Sequence, residues 1–260
     1  MIRRGMARAA VLAGLIVGLS GQAPAGAGAL IEPPVLAQAV AAGELPPLAE
    51  RLPDPPSLAE FFSDDQTLGE HGGRIEILMG RQKDIRLMNV YGYARLVCYD
   101  RDLNLVPDMV ERFEVEDGRV FTFHLRKNHR WSDGHPFTAE DFRFYWDDVV
   151  NNKELSRFGP PKVLMVEGEA PRFEVIDPLT VRYSWSKPNP FFLPAIAGAR
   201  PLYIYLPAHY LKQFHAKYAD PEELKAMIAE ARAHNWARIF FDKEELYNAR
   251  NADMPSCSPG

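Results

Sequence analysis

Cysteine is scarce: Cys98 and Cys257 are the two in 260 residues. Two thiols cannot build the disulfide framework of a small secreted scaffold, nor a four-cysteine zinc site. Long apolar runs are missing too, and none reaches the ~20 residues that a membrane-spanning helix needs. Positive charge is in deficit, with 30 Lys and Arg against 35 Asp and Glu and a formal net charge of −5. That balance leaves no electrostatic footprint for nucleic acid. There is no internal repeat, and no nucleophile–base–acid triad stands out. What remains is the composition of a soluble globular protein, 47% hydrophobic and 25% charged. The length allows one large domain or two small ones.

The first 29 residues read as a targeting segment. Arg3, Arg4 and Arg8 form a basic start, and Ala9 to Leu19 a short apolar core. Ala23-Pro24-Ala25 and Ala27-Gly28-Ala29 are small-residue cleavage patterns. This is the plan of a secretory signal peptide, and no cysteine follows it that could carry a lipid anchor. Residues 30–71 form a proline-rich N-terminal region, with Pro33, Pro34, Pro46, Pro47, Pro53, Pro55 and Pro56. Each proline fixes φ and removes a donor, which disfavours long helices and central strands. A short helix over Val35 to Ala42 fits; the region otherwise reads as an arm laid over a surface or as disordered chain.

From Gly72-Gly73 onward the pattern becomes globular. Arg74 to Gly80 alternates apolar and charged residues, as a half-buried strand does. Asn89 to Val97 has helical spacing, and Leu103 to Val110 reads as a loop. Two β-rich runs, Arg112 to Val115 and Val120 to Leu125, flank Glu116-Asp117-Gly118, a strong hairpin pattern. A second hairpin is expected around Asp177-Pro178, between Phe173 to Ile176 and Thr180 to Trp185. Further on come a short helix in Pro190 to Ala199, an apolar strand in Leu202 to Leu206, a helix from Pro207 to Tyr218 and another from Glu222 to His234. Strands and helices mix throughout, so the fold class is α/β or mixed α+β. Cys98 reads as a small buried hydrophobe, and Cys257 lies in a polar tail.

The densest stretch is Phe121 to Trp146. Phe121, Phe123 and Leu125 share one face of a strand. Ser132-Asp133-Gly134 is a turn, since Asp bonds nearby backbone and Gly allows positive φ. Thr138 caps a helix, and Asp141 can reach back to it as in a capping box. Phe142, Trp146 and Val149 then form a buried stripe. Glu140, Asp141, Asp147 and Asp148 are read as a helix start and a solvated helix face, not as paired catalytic acids. His124, His129 and His135 are spaced by five and six, which does not put two of them on one helical turn, so they give no metal pattern. Lys212, His215 and Lys217 read as surface residues.

Phe121-Thr-Phe-His-Leu-Arg-Lys127, Trp131-Ser-Asp-Gly134, Pro136-Phe-Thr-Ala-Glu-Asp-Phe142 and Trp146 together resemble the motif set of family 5 extracytoplasmic solute-binding proteins. These are the oligopeptide- and dipeptide-binding components of ABC importers. Gly72-Gly73, Leu105 to Glu111 and Val175 to Val181 extend the resemblance, which covers residues 72–241; Ala41 to Pro47 is similar to the front arm of a larger-bodied branch. The resemblance implies a type II periplasmic-binding-protein-like fold, a clamp of two lobes with ligand between them. It implies a periplasmic monomer with no catalytic residues, no metal and no cofactor. Its partners would be a small oligopeptide-like solute and an inner-membrane permease. Family members are longer, so residues 72–260 are expected to be the N-terminal part of the domain: the first lobe with its small subdomain, the second lobe missing. The tail Asn251 to Pro255 starts like the family's and then ends, as a reading-frame loss or a split gene would make it. Carried over residue by residue, the ligand-facing positions are Arg86, Asn89 and Tyr91 after the first strand and Phe158 after the central helix. A truncated non-binding fragment, or an exported scaffold, is the alternative function.

Overall fold

The computed structural model describes residues 30–57, 63, 65–67, 69–74, 76–81, 84, 94–199, 201–244, 251 and 253–257. The signal peptide expected over residues 1–29 lies outside them. Contacts divide the chain into Met1–Ile31 and Glu32–Gly260. Of the first unit only Leu30 and Ile31 are described, and both are exposed; all that follows concerns the second.

Helix α1, Pro34–Ala41, starts on a proline, where the missing N–H costs nothing. A single turn, α2, spans Leu48–Arg51. The proline-rich region is therefore partly helical, and it is pinned to the body by backbone. Asp54 N donates to Lys127 O at 2.9 Å, Arg126 Nη1 to Pro55 O at 3.1 Å and Arg130 Nε to Glu50 O at 3.2 Å.

Two short strands, β1 (Val97–Tyr99) and β2 (Leu105–Pro107), pair antiparallel where a helix end and a loop were expected. The Asp100 carboxylate makes the difference. It accepts from Asp102 N and Asn104 N and closes the tight connection between them. The central sheet is antiparallel. It holds β3 (Val110–Glu116), β4 (Val120–Leu125), β5 (Arg172–Asp177) and β6 (Thr180–Ser184), in the order β3-β4-β6-β5. Both expected hairpins form. Asp117 and Gly118 take the left-handed φ values (52° and 66°) that an Asp-Gly connection supplies. At the other turn Asp177 Oδ1 accepts from Leu179 N at 2.7 Å.

Phe121, Phe123 and Leu125 do share the buried face of β4, where Phe121 lies opposite Tyr183 and Phe123 opposite Val181. Two helices cover that face. One, α4 (Phe192–Ala197), sets Phe192 edge-on to Phe121 at 5.1 Å. The other begins as α3 (Ala139–Arg143) and continues as a π-helix over Phe144–Val150. Trp146 reaches the sheet from it, 6.1 Å from the Tyr183 ring. The expected stripe of Phe142, Trp146 and Val149 is buried, but so are Phe144, Tyr145, Asp148 and Val150. On a second side it packs against α7 (Trp236–Glu244), with Phe144 6.3 Å from Phe240, while α5 (Ala208–Leu211) gives its Ala208 N–H to Asp141 and α6 (Pro221–Glu230) packs on α7.

Asp148 is therefore not on a solvated face. It is 4% exposed and accepts from Lys217 Nζ and the Tyr218 hydroxyl, both at 2.7 Å, and from Arg143 Nη1 at 2.9 Å. Burial opposes its ionisation, but these three donors prevail and hold its carboxyl below the usual range. His215 is also interior. Its Nε2 donates to the Asp148 carbonyl at 2.9 Å, while its Nδ1 accepts from Lys217 N at 3.2 Å.

Among the described residues, two expected strands do not form. Among the described residues of Arg74 to Gly80, no strand lies alongside, and Ile77 and Leu78 are exposed. Without a ladder partner the alternation does not make a strand. Residues 202–206 are extended, but their donors go elsewhere: Leu202 N to Ala195 O at 2.8 Å and Leu206 N to Asp141 O at 3.2 Å. Cys257 is buried beside Trp131, contrary to its polar neighbours in sequence.

Asp141 is 2% exposed, and its carboxylate takes Thr138 N (2.9 Å), Ala208 N (3.1 Å) and Trp131 Nε1 (3.2 Å). Burial pushes its carboxyl up to about 6, with these donors pulling the other way. Replacing it by alanine strands three buried donors and is expected to cost at least about 3 kcal/mol in urea unfolding. An unchanged midpoint would show that the donors find other acceptors.

His129 is 4% exposed, and among the described residues neither ring nitrogen meets a partner. Burial, helped by the Arg126 charge, lowers its pKa from 6.5 to about 4. The unfolded chain then takes up a proton that the folded chain refuses, so stability falls as the pH drops from about 6.5 toward 4. His129→Leu is expected to relieve this acid loss by on the order of 2–3 kcal/mol. Urea midpoints of the two proteins should coincide more closely near neutral pH and diverge in acid. Parallel curves would sink the assignment.

Candidate functional site

Of the sequence-chosen ligand-facing residues, Arg86, Asn89 and Tyr91 lie outside the described residues. From their segment only Asp84 is described; it is part-buried and faces Arg81 at 3.6 Å. Phe158 is described, on the loop that follows the π-helix.

That loop is held by its own polar groups. The π-helix ends at Asn151, whose Nδ2 donates to Trp146 O at 2.8 Å. Asn152 Oδ1 accepts from Glu154 N at 2.9 Å, and Ser156 N donates to Asn152 O at 2.6 Å. Ser156 Oγ donates to Gly159 O at 2.8 Å, and Gly159 takes a φ of 74° that a side chain would resist. Leu155 is buried beneath, and Glu154 Oε2 accepts from Trp236 Nε1 at 2.7 Å, tying the loop to the first residue of α7. On this fixed loop the Phe158 ring stands 96% exposed. An aromatic ring left in water forgoes about 2–3 kcal/mol of burial, which a ligand or a second surface can recover.

The three histidines of the central stretch go to different surroundings. His124 Nδ1 lies 3.3 Å from Thr180 Oγ1, on the sheet. His129 packs edge-on to Phe137. His135 stacks flat on His209 at 3.9 Å, and His209 Nε2 meets Asp133 Oδ2 at 2.7 Å.

Sequence reasoning passed over one concavity, a cavity of about 450 Å³ whose lining includes Trp131, Tyr145, Tyr203, Tyr205, Phe241 and Glu244. A faint signal existed. Glu244 follows Trp236 and Phe240 at four-residue steps, which puts an acid on the apolar stripe of a helix.

Phe158 thus stands exposed on a hydrogen-bonded loop beside a well-packed sheet-and-helix body, and comparison with known proteins gives the class. The family model for bacterial extracellular solute-binding proteins, family 5 (middle region), matches residues 104–237, more than half of the chain. The chain belongs to that family. It is 29% identical over 204 residues to the periplasmic alpha-galactoside-binding protein of Rhizobium meliloti strain 1021, across 69% of this chain and 28% of that one. It is 30% identical over 143 residues to the periplasmic oligopeptide-binding protein OppA of Escherichia coli K12, across 50% of this chain and 26% of the relative. A solved oligopeptide-binding protein OppA superposes on 88% of this chain and 35% of its own, at 31% identity and a TM-score of 0.71. The mixed α/β fold is thus that of a type II periplasmic binding protein, of which the chain spans about a third.

Because the Phe158 ring packs on nothing, Phe158→Ser is expected to leave the unfolding free energy within about 0.5 kcal/mol of the parent. A larger loss in urea unfolding would show that the ring supports the fold.

Proposed function

We propose that this chain is an exported solute-binding component of an ABC importer. It takes up a peptide-like or other small solute in the periplasm and delivers it to a membrane permease. The solute would sit against Phe158 and the segment that carries Arg86, Asn89 and Tyr91. A second lobe closing over it would exclude water and complete the site. No bond is made or broken; binding is the whole activity. The observation that carries this reading is the exposed Phe158 ring on a hydrogen-bonded loop, within a chain of this family. Relatives named for alpha-galactosides and for oligopeptides support both solute classes as candidates.

The test is thermal unfolding of the purified 260-residue chain with tri- to pentapeptides and with alpha-galactosides. A solute at a hundred times its Kd adds about 2.7 kcal/mol, which for a chain of this size raises Tm by roughly 5–10 °C. At least one solute is expected to do so, and Phe158→Ser to reduce the shift. If no member of the panel moves Tm, the chain by itself is a scaffold and not a binder.

A further inference from the structure

The aromatic cavity has a chemistry of its own. It lies where the turn bearing Trp131, the π-helix bearing Tyr145 and the end of α7 come together. Its volume of about 450 Å³ suits a small molecule. Phe241 and Glu244 close it from α7. Two other charges on its rim offset each other, since Arg238 Nη2 meets Asp242 Oδ1 at 2.8 Å. Glu244 is different: among the described residues no N–H or O–H donates to its carboxylate. Among the described residues, the cavity therefore holds one carboxylate without a donor, set among ring faces.

That combination selects the ligand. An anion would meet the carboxylate, with the Arg238 guanidinium already engaged by Asp242. A metal ion would find the Glu244 carboxylate, with that of Asp242 already paired to Arg238, and no cluster of three ligating side chains occurs among the described residues. A compact organic cation meets both features at once. Its charge is attracted to the carboxylate and to the ring quadrupoles, and its methyl groups bury against the same rings. We propose that this cavity is a binding site for a small organic ammonium ion, with the charge against Glu244 and the methyl groups facing Trp131, Tyr145 and Phe241.

Burial supports the assignment. It pushes the Glu244 carboxyl up to about 7, and it raises the Tyr145 phenol, with the Glu244 charge adding to that rise. An arriving cation would restore the ionised carboxylate. Binding near neutral pH therefore releases a proton, and affinity weakens as Glu244 is protonated in acid. Among the described residues, Tyr145, Tyr203, Tyr205, Arg238 and Asp242 are the other ionisable side chains lining the cavity, and burial raises the Tyr145 phenol further from that range. The proposal does not rest on solute capture at Phe158, which is not among the residues lining this cavity.

Calorimetric titration of the 260-residue chain with choline, and with its uncharged isostere 3,3-dimethylbutan-1-ol, tests this. At about pH 8 choline is expected to bind roughly tenfold or more tightly than the alcohol. Glu244→Gln should remove that preference, and Phe241→Leu should weaken choline while leaving the alcohol unchanged. Near neutral pH the binding enthalpy should depend on the buffer's ionisation enthalpy, reporting the released proton. Absence of choline binding, equal binding of choline and alcohol, or a preference that survives Glu244→Gln would each overturn the proposal. Because Phe241 is partly exposed, its variant keeps the test decisive if Glu244→Gln unfolds.

Discussion

The buried carboxylate of Asp141 receives the backbone N–H of Thr138, the indole N–H of Trp131 and the backbone N–H of Ala208. Its own carbonyl takes the N–H of Leu206. Four segments are thus joined at one residue: the turn after β4, the helix cap, the helix itself and the extended chain at 202–208. A buried carboxylate is tolerated only when donors replace the water it gave up. Here that requirement fixes where the late part of the chain must run. At the two ends of residues 202–206 the backbone donors go outside any strand, Leu206 N to Asp141 O and Leu202 N to Ala195 O.

Immediately downstream the helix changes pitch. The π-turns over Phe144–Val150 bring apolar side chains to two surfaces, Trp146 to the sheet and Phe144 to α7. They also turn Asp148 inward, where Arg143, Lys217 and Tyr218 compensate it. Glu140, held to about 2 by Arg143 and then Lys212, extends the same ionic seam to partly exposed positions. Much of that outer part is screened by solvent, so the seam acts mainly by removing alternatives: each acid has a cation within reach in this packing.

The proposed ligand-facing loop and the aromatic cavity stand at the edges of this body. The Phe158 loop is rigid through short-range hydrogen bonds and through Glu154, which reaches Trp236. Helix α7 therefore carries the loop's brace at its first residue and the cavity's carboxylate at its last, about 12 Å along the axis. The chain spans 28% and 26% of the two curated relatives described, so what is seen is one portion of the family's architecture, with its ring exposed.

The amino-acid sequence alone determined the features that depend on near neighbours. The Asp117-Gly118 connection, the Thr138–Asp141 capping box, the alternation of Phe121, Phe123 and Leu125, and the second hairpin all follow from residues a few positions apart. The same local motifs carried the family resemblance. Tertiary structure decided the rest. Asp148, His215 and Cys257 look polar and exposed in sequence but are buried, because what covers them comes from elsewhere in the chain; Lys217 is 69 residues from Asp148. Arg74 to Gly80 has a strand's pattern, yet among the described residues it finds no strand partner. Glu244 and Tyr145 share a cavity although 99 positions separate them in sequence. Hydrogen-bond satisfaction and desolvation are set by neighbours in space, and periodicity along the chain does not record them.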